Sequence, residues 1–419
     1  MLYYLFDWLD KAFDMPGAGM FQYISFRTAI ASLLALFLSM IVGKWVIKLL
    51  RRNQIGESIR DLGLEGQMEK KGTPTMGGII ILFSVLIPVL LLNKLDNIYI
   101  LLMIFTTVWL GLLGFIDDYI KVKKHNKAGL SAKAKLVGQA VLGLIVGLVM
   151  VLHPNVVIKE KCTNVNYVNT ENVFKVENDQ TGVSTGYECV PPTKSMKTTI
   201  PFFKNNELDY SKAMKWVGSN YKIWSDILYV IIIIFIIMAV SNGANLTDGL
   251  DGLAISVTAI IGAVLGVLAY VSGNTIFADY LNIMYIPNTG ELMIFTGAFV
   301  GACMGFMWWN CHPAQVFMGD TGSLALGGIV AVFAIIIRKE LLLPILCGIY
   351  LMESVSVLIQ TTYFKFTKKN YGEGKRVFLM APIHHHYQKK GFDEVKIVSR
   401  FIIIGLMLAV VTIVTLKIR

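Results

Sequence analysis

The sequence predicts an all-α, polytopic membrane protein of ten transmembrane helices. Three observations carry that expectation. Of 419 residues, 55% are hydrophobic and only 16% charged, against roughly a quarter charged in ordinary soluble domains. Apolar windows of about 17–25 residues, the length that crosses a bilayer as a helix, recur along the chain. The Lys and Arg residues collect between these windows and alternate heavy and light from one connection to the next. Helices are the element that satisfies its own backbone in lipid.

In order, the apolar windows place spans at about 25–49, 76–93, 98–116, 134–152, 224–241, 253–272, 291–309, 323–337, 341–362 and 398–416. The eighth is short for a span. The connection after the first span carries Arg51, Arg52, Arg60, Lys70 and Lys71. The one after the third carries Lys121, Lys123, Lys124, Lys127, Lys133 and Lys135, and the one after the ninth a further basic group. The opposite connections hold little more than Lys94, Arg338 and Lys339. Positive charge stays on the cytoplasmic side, so both termini are expected to be extracytoplasmic. The first residues lack a basic start and a small-residue cleavage site, and are expected to belong to the mature chain.

The chain reads as one transmembrane domain, 1–419, with a polar insert at 153–222 between the fourth and fifth spans. Long loops translocate largely regardless of charge, so the insert is expected outside. It holds Cys162 and Cys189, which are either two free thiols or a disulfide. Cys303, Cys311 and Cys347 read as packing residues. The net charge of +10 reflects the basic flanks of spans. No basic–aromatic stripe suggests nucleic acid, and no internal repeat supports an inverted-repeat transporter.

Four connections expected on the inner face carry unusual side chains. GFIDDYIK (114–121) places Asp117 and Asp118 at the end of the third span. SNGANLTDGLDGLA (241–254) has Asn245, Asp248 and Asp251 with no Lys or Arg. WWNCHPAQVFMGDTGSLALGG (308–328) carries Asn310 and Asp320, and MAPIHHHYQKKGF (380–392) carries His384, His385 and His386. Each alone has a plain reading: a solvated helix end, a cap and turn, a tight loop, an aromatic belt at Trp308 and Trp309. Together on one face they suit phosphoryl transfer near lipid. Mg²⁺ takes hard oxygen ligands plus substrate phosphates, and Lys70, Lys121 and Lys133 can meet phosphate oxygens. Glycines in DGLDG and GDTGS allow close approach to a diphosphate.

KKGTPTMGG (70–78), GFIDDYIK, NLTDGLDGLA (245–254), FMGDTGSLALGG (317–328) and APIHHHYQ (381–388) together resemble the phospho-N-acetylmuramoyl-pentapeptide transferases. These belong to the polyprenyl-phosphate N-acetylhexosamine-1-phosphate transferases. The resemblance runs in order over nearly the whole chain. It implies transfer of phospho-MurNAc-pentapeptide from UDP-MurNAc-pentapeptide to undecaprenyl phosphate, giving lipid I and UMP with Mg²⁺. It also implies a homodimer in the bacterial inner membrane, with its catalytic cleft facing the cytoplasm. By motif, Asp117 would be the base beside the lipid phosphate, supported by Asp118, and Asp320 the Mg²⁺ ligand. Asn245, Asp248, Gly249, Leu250 and Asp251 would hold the nucleotide and diphosphate. Lys70, Asn310 and Phe317 would form the uracil pocket, with Thr75 among the substrate-binding residues of the first motif. His384 and His385 would contact the sugar-phosphate end near Lys121 and Lys133, with His386 in a supporting place.

The chain departs from the resemblance twice. Tyr387 and Gln388 stand where the family commonly has Phe then Glu, so no carboxylate acts there. The insert exceeds the usual short external segment and is expected to be dispensable for turnover. A sibling enzyme using UDP-GlcNAc shares the aspartates, but the APIHHHY motif favours the muramoyl branch. A transporter or channel would want charges inside spans, whereas 228–240 holds none.

Overall fold

The computed structural model describes residues 1–52, 70, 72–123, 129–159, 193–202, 207–218, 220–281 and 283–416. Among them, eight helices are long and apolar enough to cross a membrane. They are α2 (Ile24–Arg52), α4 (Ile98–Lys123), α5 (Ala132–Leu152), α7 (Tyr221–Thr247), α8 (Leu253–Ser272), α10 (Leu292–Asn310), α11 (Gly319–Ile336) and α15 (Glu394–Thr415). α3 (Gly78–Leu92) has 15 residues, fewer than an untilted span needs.

The expected ninth span is not one straight helix. Glu340–Leu346, which includes α12 (Leu343–Leu346), meets α13 (Gly348–Tyr371) at a 77° bend. Counting the pair as one span gives nine by length and composition. The third span also differs: α4 does not stop at Asp117 but runs on to Lys123. The acids sit inside the helix because Lys121, one turn on, offsets Asp117 at 2.6 Å. Sequence reasoning also missed α1 (Leu2–Phe13), whose Tyr4 hydroxyl donates to Asp96.

α11 is the axis of the bundle. Every side chain from Thr321 to Ile336 is buried, packed against α3, α4, α7 and α8. A helix apolar all round belongs in such a core, and glycines at 322, 327 and 328 let neighbours come near. α10 packs along α2 and α8.

The two ends of the bundle differ. At one end Arg27 and Glu291, both buried, form a bidentate pair at 2.8 and 2.7 Å. The N-terminal ammonium of Met1 donates to the Leu90 and Leu91 carbonyls at that end. The described part of the insert also packs there. β1 (Lys197–Thr199) and β2 (Glu207–Asp209) pair antiparallel, followed by α6 (Tyr210–Ala213). Thr199 N–H and the Thr198 hydroxyl donate to the Arg338 carbonyl, and the Tyr210 hydroxyl donates to Glu340 at 3.4 Å. This portion is woven into the fold. Cys162, Cys189, Arg60, Lys71, Lys124 and Lys127 lie outside the described residues. The opposite end carries the acids. α9 (Thr275–Leu281) and α14 (Ile383–Lys389) complete the short elements.

Candidate active site

The five motifs do meet at one end of the bundle. Backbone pairing brings the first to the fourth: Phe317 N–H donates to the Pro74 carbonyl, and Gly77 and Gly78 N–H donate to Phe317 and Met318, all at 2.8 Å. Gly114 lets α4 approach α11. A Cβ there would lie 2.2 Å from the Asp320 carbonyl oxygen, so only glycine fits at that crossing. Asp117 and Asp118 are thereby set beside Asp320.

Asp118 serves α11 directly. Its carboxylate accepts from Asp320 N–H at 3.2 Å, Thr321 N–H at 2.8 Å and the Thr321 hydroxyl at 2.7 Å. An acid placed on free N–H groups at a helix start caps them and suits the dipole. Asp118 therefore positions Asp320. Asp117 accepts from Leu130 N–H at 2.6 Å and lies 2.9 Å from Lys135. Lys121 and Lys135 both reach Asp320 Oδ2, while Asn245 donates to Asp320 Oδ1 at 2.7 Å and to Ser323 at 2.8 Å.

Asp117, Asp118 and Asp320 each offer an oxygen within 4.8 Å of the others. Hard carboxylate oxygens at that spacing suit a divalent cation of the Mg²⁺ kind. The residues present therefore fit a metal site, to which Asp320 contributes the more open oxygens: its side chain is 15% exposed, against 0% and 3% for Asp117 and Asp118.

Lys133 is exposed and makes no ion pair among the described residues. Lys135 instead reaches Asp117 and Asp320, because α5 turns position 135 inward and 133 outward, two residues being about 200° on a helix.

A second group lies around Asp251. Lys70 Nζ donates to Asp251 and to Glu394, both at 2.7 Å. Glu394 also accepts from Asp251 N–H at 2.7 Å, and Asp251 Oδ2 meets His312 Nδ1 at 3.2 Å. Burial disfavours the Lys70 charge, but Glu394 and Asp251 outweigh it and raise its pKa. The Lys70 ammonium stands 6.0 Å from the Phe317 ring centroid, and Phe317 is half-buried. Asn310 is internal to this wall, accepting from Gly252 N–H and donating to the Val316 carbonyl. Thr75 lies beside Gly319, its hydroxyl 3.1 Å from where a Cβ would stand. Leu250 is buried, Asp248 closes α7, and Gly249 is exposed at the turn. Lys135, His312, Glu353 and Glu394 were missed by the sequence reading. The first is one helical turn from Ser131, which caps α5, a spacing that could have singled it out.

The histidines separate. His384 is fully buried, under Gly249, whereas its neighbour is partly open. His385 is half-buried and its Nδ1 lies 2.7 Å from Gln388 Oε1, giving Gln388 a role in place of a Glu. His386 Nδ1 accepts from Leu379 N–H at 3.1 Å and holds the loop. Burial, and then His384, push the His385 pKa from 6.5 down to about 4, so it is uncharged at neutral pH. A base depressed in the fold contributes stability that is full above the unfolded pKa of about 6.5 and lost as pH falls through about 4. His385→Asn is expected to flatten this part of the acid limb in thermal unfolding of the solubilised protein between these pH values. An unchanged limb would count against it.

Apolar helices around a cluster of acids and lysines mark a polytopic membrane protein with a charged site at one end of its bundle, and two family models place it among the transferases. Glycosyl transferase family 4 matches residues 197–338, and the phospho-N-acetylmuramoyl-pentapeptide-transferase signature 1 matches residues 70–82. The chain is similar to proteins named phospho-N-acetylmuramoyl-pentapeptide-transferase from several bacteria. Identity is 57% over 419 residues for Flavobacterium psychrophilum, 56% over 433 for Parabacteroides distasonis and 55% over 419 for Flavobacterium johnsoniae, covering all of both chains each time. The chain belongs to the phospho-N-acetylmuramoyl-pentapeptide-transferase family and is a phosphotransferase.

Proposed function

We propose that the chain transfers phospho-MurNAc-pentapeptide from UDP-MurNAc-pentapeptide to undecaprenyl phosphate, giving lipid I and UMP at the cytoplasmic face of the bacterial inner membrane. The observation that carries this reading is the adjacency of two groups at one end of an apolar bundle. Asp117, Asp118 and Asp320 with two lysines form one. Lys70, Asp251 and Phe317 form the other. The positive-inside distribution turns that end to the cytoplasm, which leaves both termini outside. The motif resemblance implies a homodimer, which cross-linking in membranes checks.

The chemical difficulty is to join two anions. A Mg²⁺ held by Asp320, with Asp117 and Asp118 beside it, would neutralise the diphosphate and the departing UMP. Positioning and charge do most of the remaining work in phosphoryl transfer. Phe317 stacks on the uracil and Lys70 meets the nucleotide. Asp117 takes the proton from the lipid phosphate, whose oxygen then attacks the β-phosphorus of the UDP-sugar. The bond to the α-phosphate oxygen breaks and UMP leaves. Lys121 and Lys135 steady the phosphate oxygens. Labelled sugar-phosphate trapped on the protein without lipid acceptor would replace direct attack by a covalent route.

Release of UMP from UDP-MurNAc-pentapeptide, requiring both prenyl phosphate and Mg²⁺, tests the function. Equal or better turnover of UDP-GlcNAc would overturn the muramoyl assignment. Phe317→Ala is expected to raise KM for the nucleotide sugar about tenfold, since a stacked base contributes roughly 1–3 kcal/mol. An unchanged KM would remove Phe317 from the pocket.

A further inference from the structure

Glu353 lies within α13 and His384 opens α14, and both are 0% exposed. His384 Nδ1 stands 3.1 Å from Glu353 Oε2. Among the described residues, no hydrogen bond satisfies either carboxylate oxygen or either ring nitrogen. Burying such groups is costly unless they are paired, so each is the other's one evident compensation. The second ring nitrogen is aimed at the DGLDG turn: a Cβ on Gly249 would lie 2.2 Å from His384 Nε2 and 2.8 Å from Cε1. Residue 249 can therefore only be glycine while the imidazole keeps this place. Gly249 itself is exposed at the end of α7, against which α13 packs.

We propose that Glu353 is a positioning residue for the nucleotide-sugar site, holding His384 by Nδ1 so that the imidazole fixes the Asp248–Gly249 turn from beneath. A carboxylate that orients an imidazole through one nitrogen determines what the other nitrogen faces. The inference deepens the proposed function and rests on its placing of the diphosphate at this turn. Neither side chain touches substrate. Their effect passes through the height and rigidity of the backbone above them.

Steady-state UMP release separates this role from general support of the fold. Glu353→Leu is expected to raise KM for the UDP-sugar tenfold or more, with kcat within about threefold. Glu353→Gln, which keeps shape and an acceptor oxygen, should restore most of the affinity. His384→Asn, whose amide nitrogen can stand where Nδ1 stands, should outperform His384→Ala. The double variant Glu353→Leu/His384→Ala should be no worse than the poorer single one, because two groups acting as a unit do not add. Losses that multiply, a fall in kcat at constant KM, or a Glu353→Leu protein with normal KM would each overturn the pairing. If Glu353→Leu does not insert, Glu353→Gln against Glu353→Ala gives the same contrast. The two readings fail separately: an unaltered chain that releases no UMP overturns the function, whereas these variants judge only the pair.

Discussion

Asp320→Asn and Asp117→Asn are each expected to lower turnover by two or more orders of magnitude, the usual scale for groups that move a proton or stabilise charge. Asp320 is where the cluster converges. Its Oδ2 meets Lys121 at 2.9 Å and also Lys135, and its Oδ1 is held by Asn245. An amide keeps the shape but removes the charge that both lysines answer, and weakens the hard-oxygen donor set. Asp320→Asn should therefore also raise the Mg²⁺ concentration needed for half-maximal UMP release. Asp117→Asn should leave that requirement nearer normal and act on kcat, since the proposed proton acceptor is lost. Near-wild-type rates in either well-inserted variant would refute its role. Asp118→Asn probes the cap of α11: it weakens the acceptor of three donors and should lower both activity and thermal stability.

Arg27→Ala is expected to destabilise the protein by about 3–5 kcal/mol, because removing one partner of a buried pair strands the other. Glu291 would lose two short hydrogen bonds from the guanidinium and, among the described residues, keep Lys94, whose ammonium stands at 3.9 Å and whose backbone N–H donates at 3.4 Å. The double change Arg27→Met with Glu291→Leu should recover much of the loss, since an apolar pair of similar volume is often neutral or better. Thermal unfolding in detergent reads both. A single variant as stable as the parent would show that water or lipid headgroups reach the site. The pair lies at the end of the bundle away from the acids, so kcat at permissive temperature should be little altered.

Much of this was legible in the sequence because bilayer thickness writes itself into the chain as long apolar windows. The windows for α2, α5, α8 and α10 match the helices within a few residues. Hydropathy is blind, however, to what happens within a window. The 77° break before Gly348 interrupts no apolar run, and α4 continues through two acids because lysines from 121 and 135 compensate them. Convergence of the acids was also readable, since alternating basic connections sort loops by face. Partners were not. Whether position 133 or 135 turns inward depends on the rotation of α5, and Glu353 looks from sequence like a stray charge inside a span. Only packing shows that His384 sits against it.

The two ammoniums lodged among Asp117, Asp118 and Asp320 have a thermodynamic consequence. Three carboxylates against two lysines leave one net negative charge. A divalent cation held there would turn the balance positive and loosen the lysines, at the place where the proposed reaction brings an anionic headgroup. Cation and acceptor should therefore bind with positive reciprocity, each tightening the other by the same factor. Titrating one ligand at several fixed concentrations of the other would show the half-saturation points drifting together, and independent isotherms would exclude such linkage.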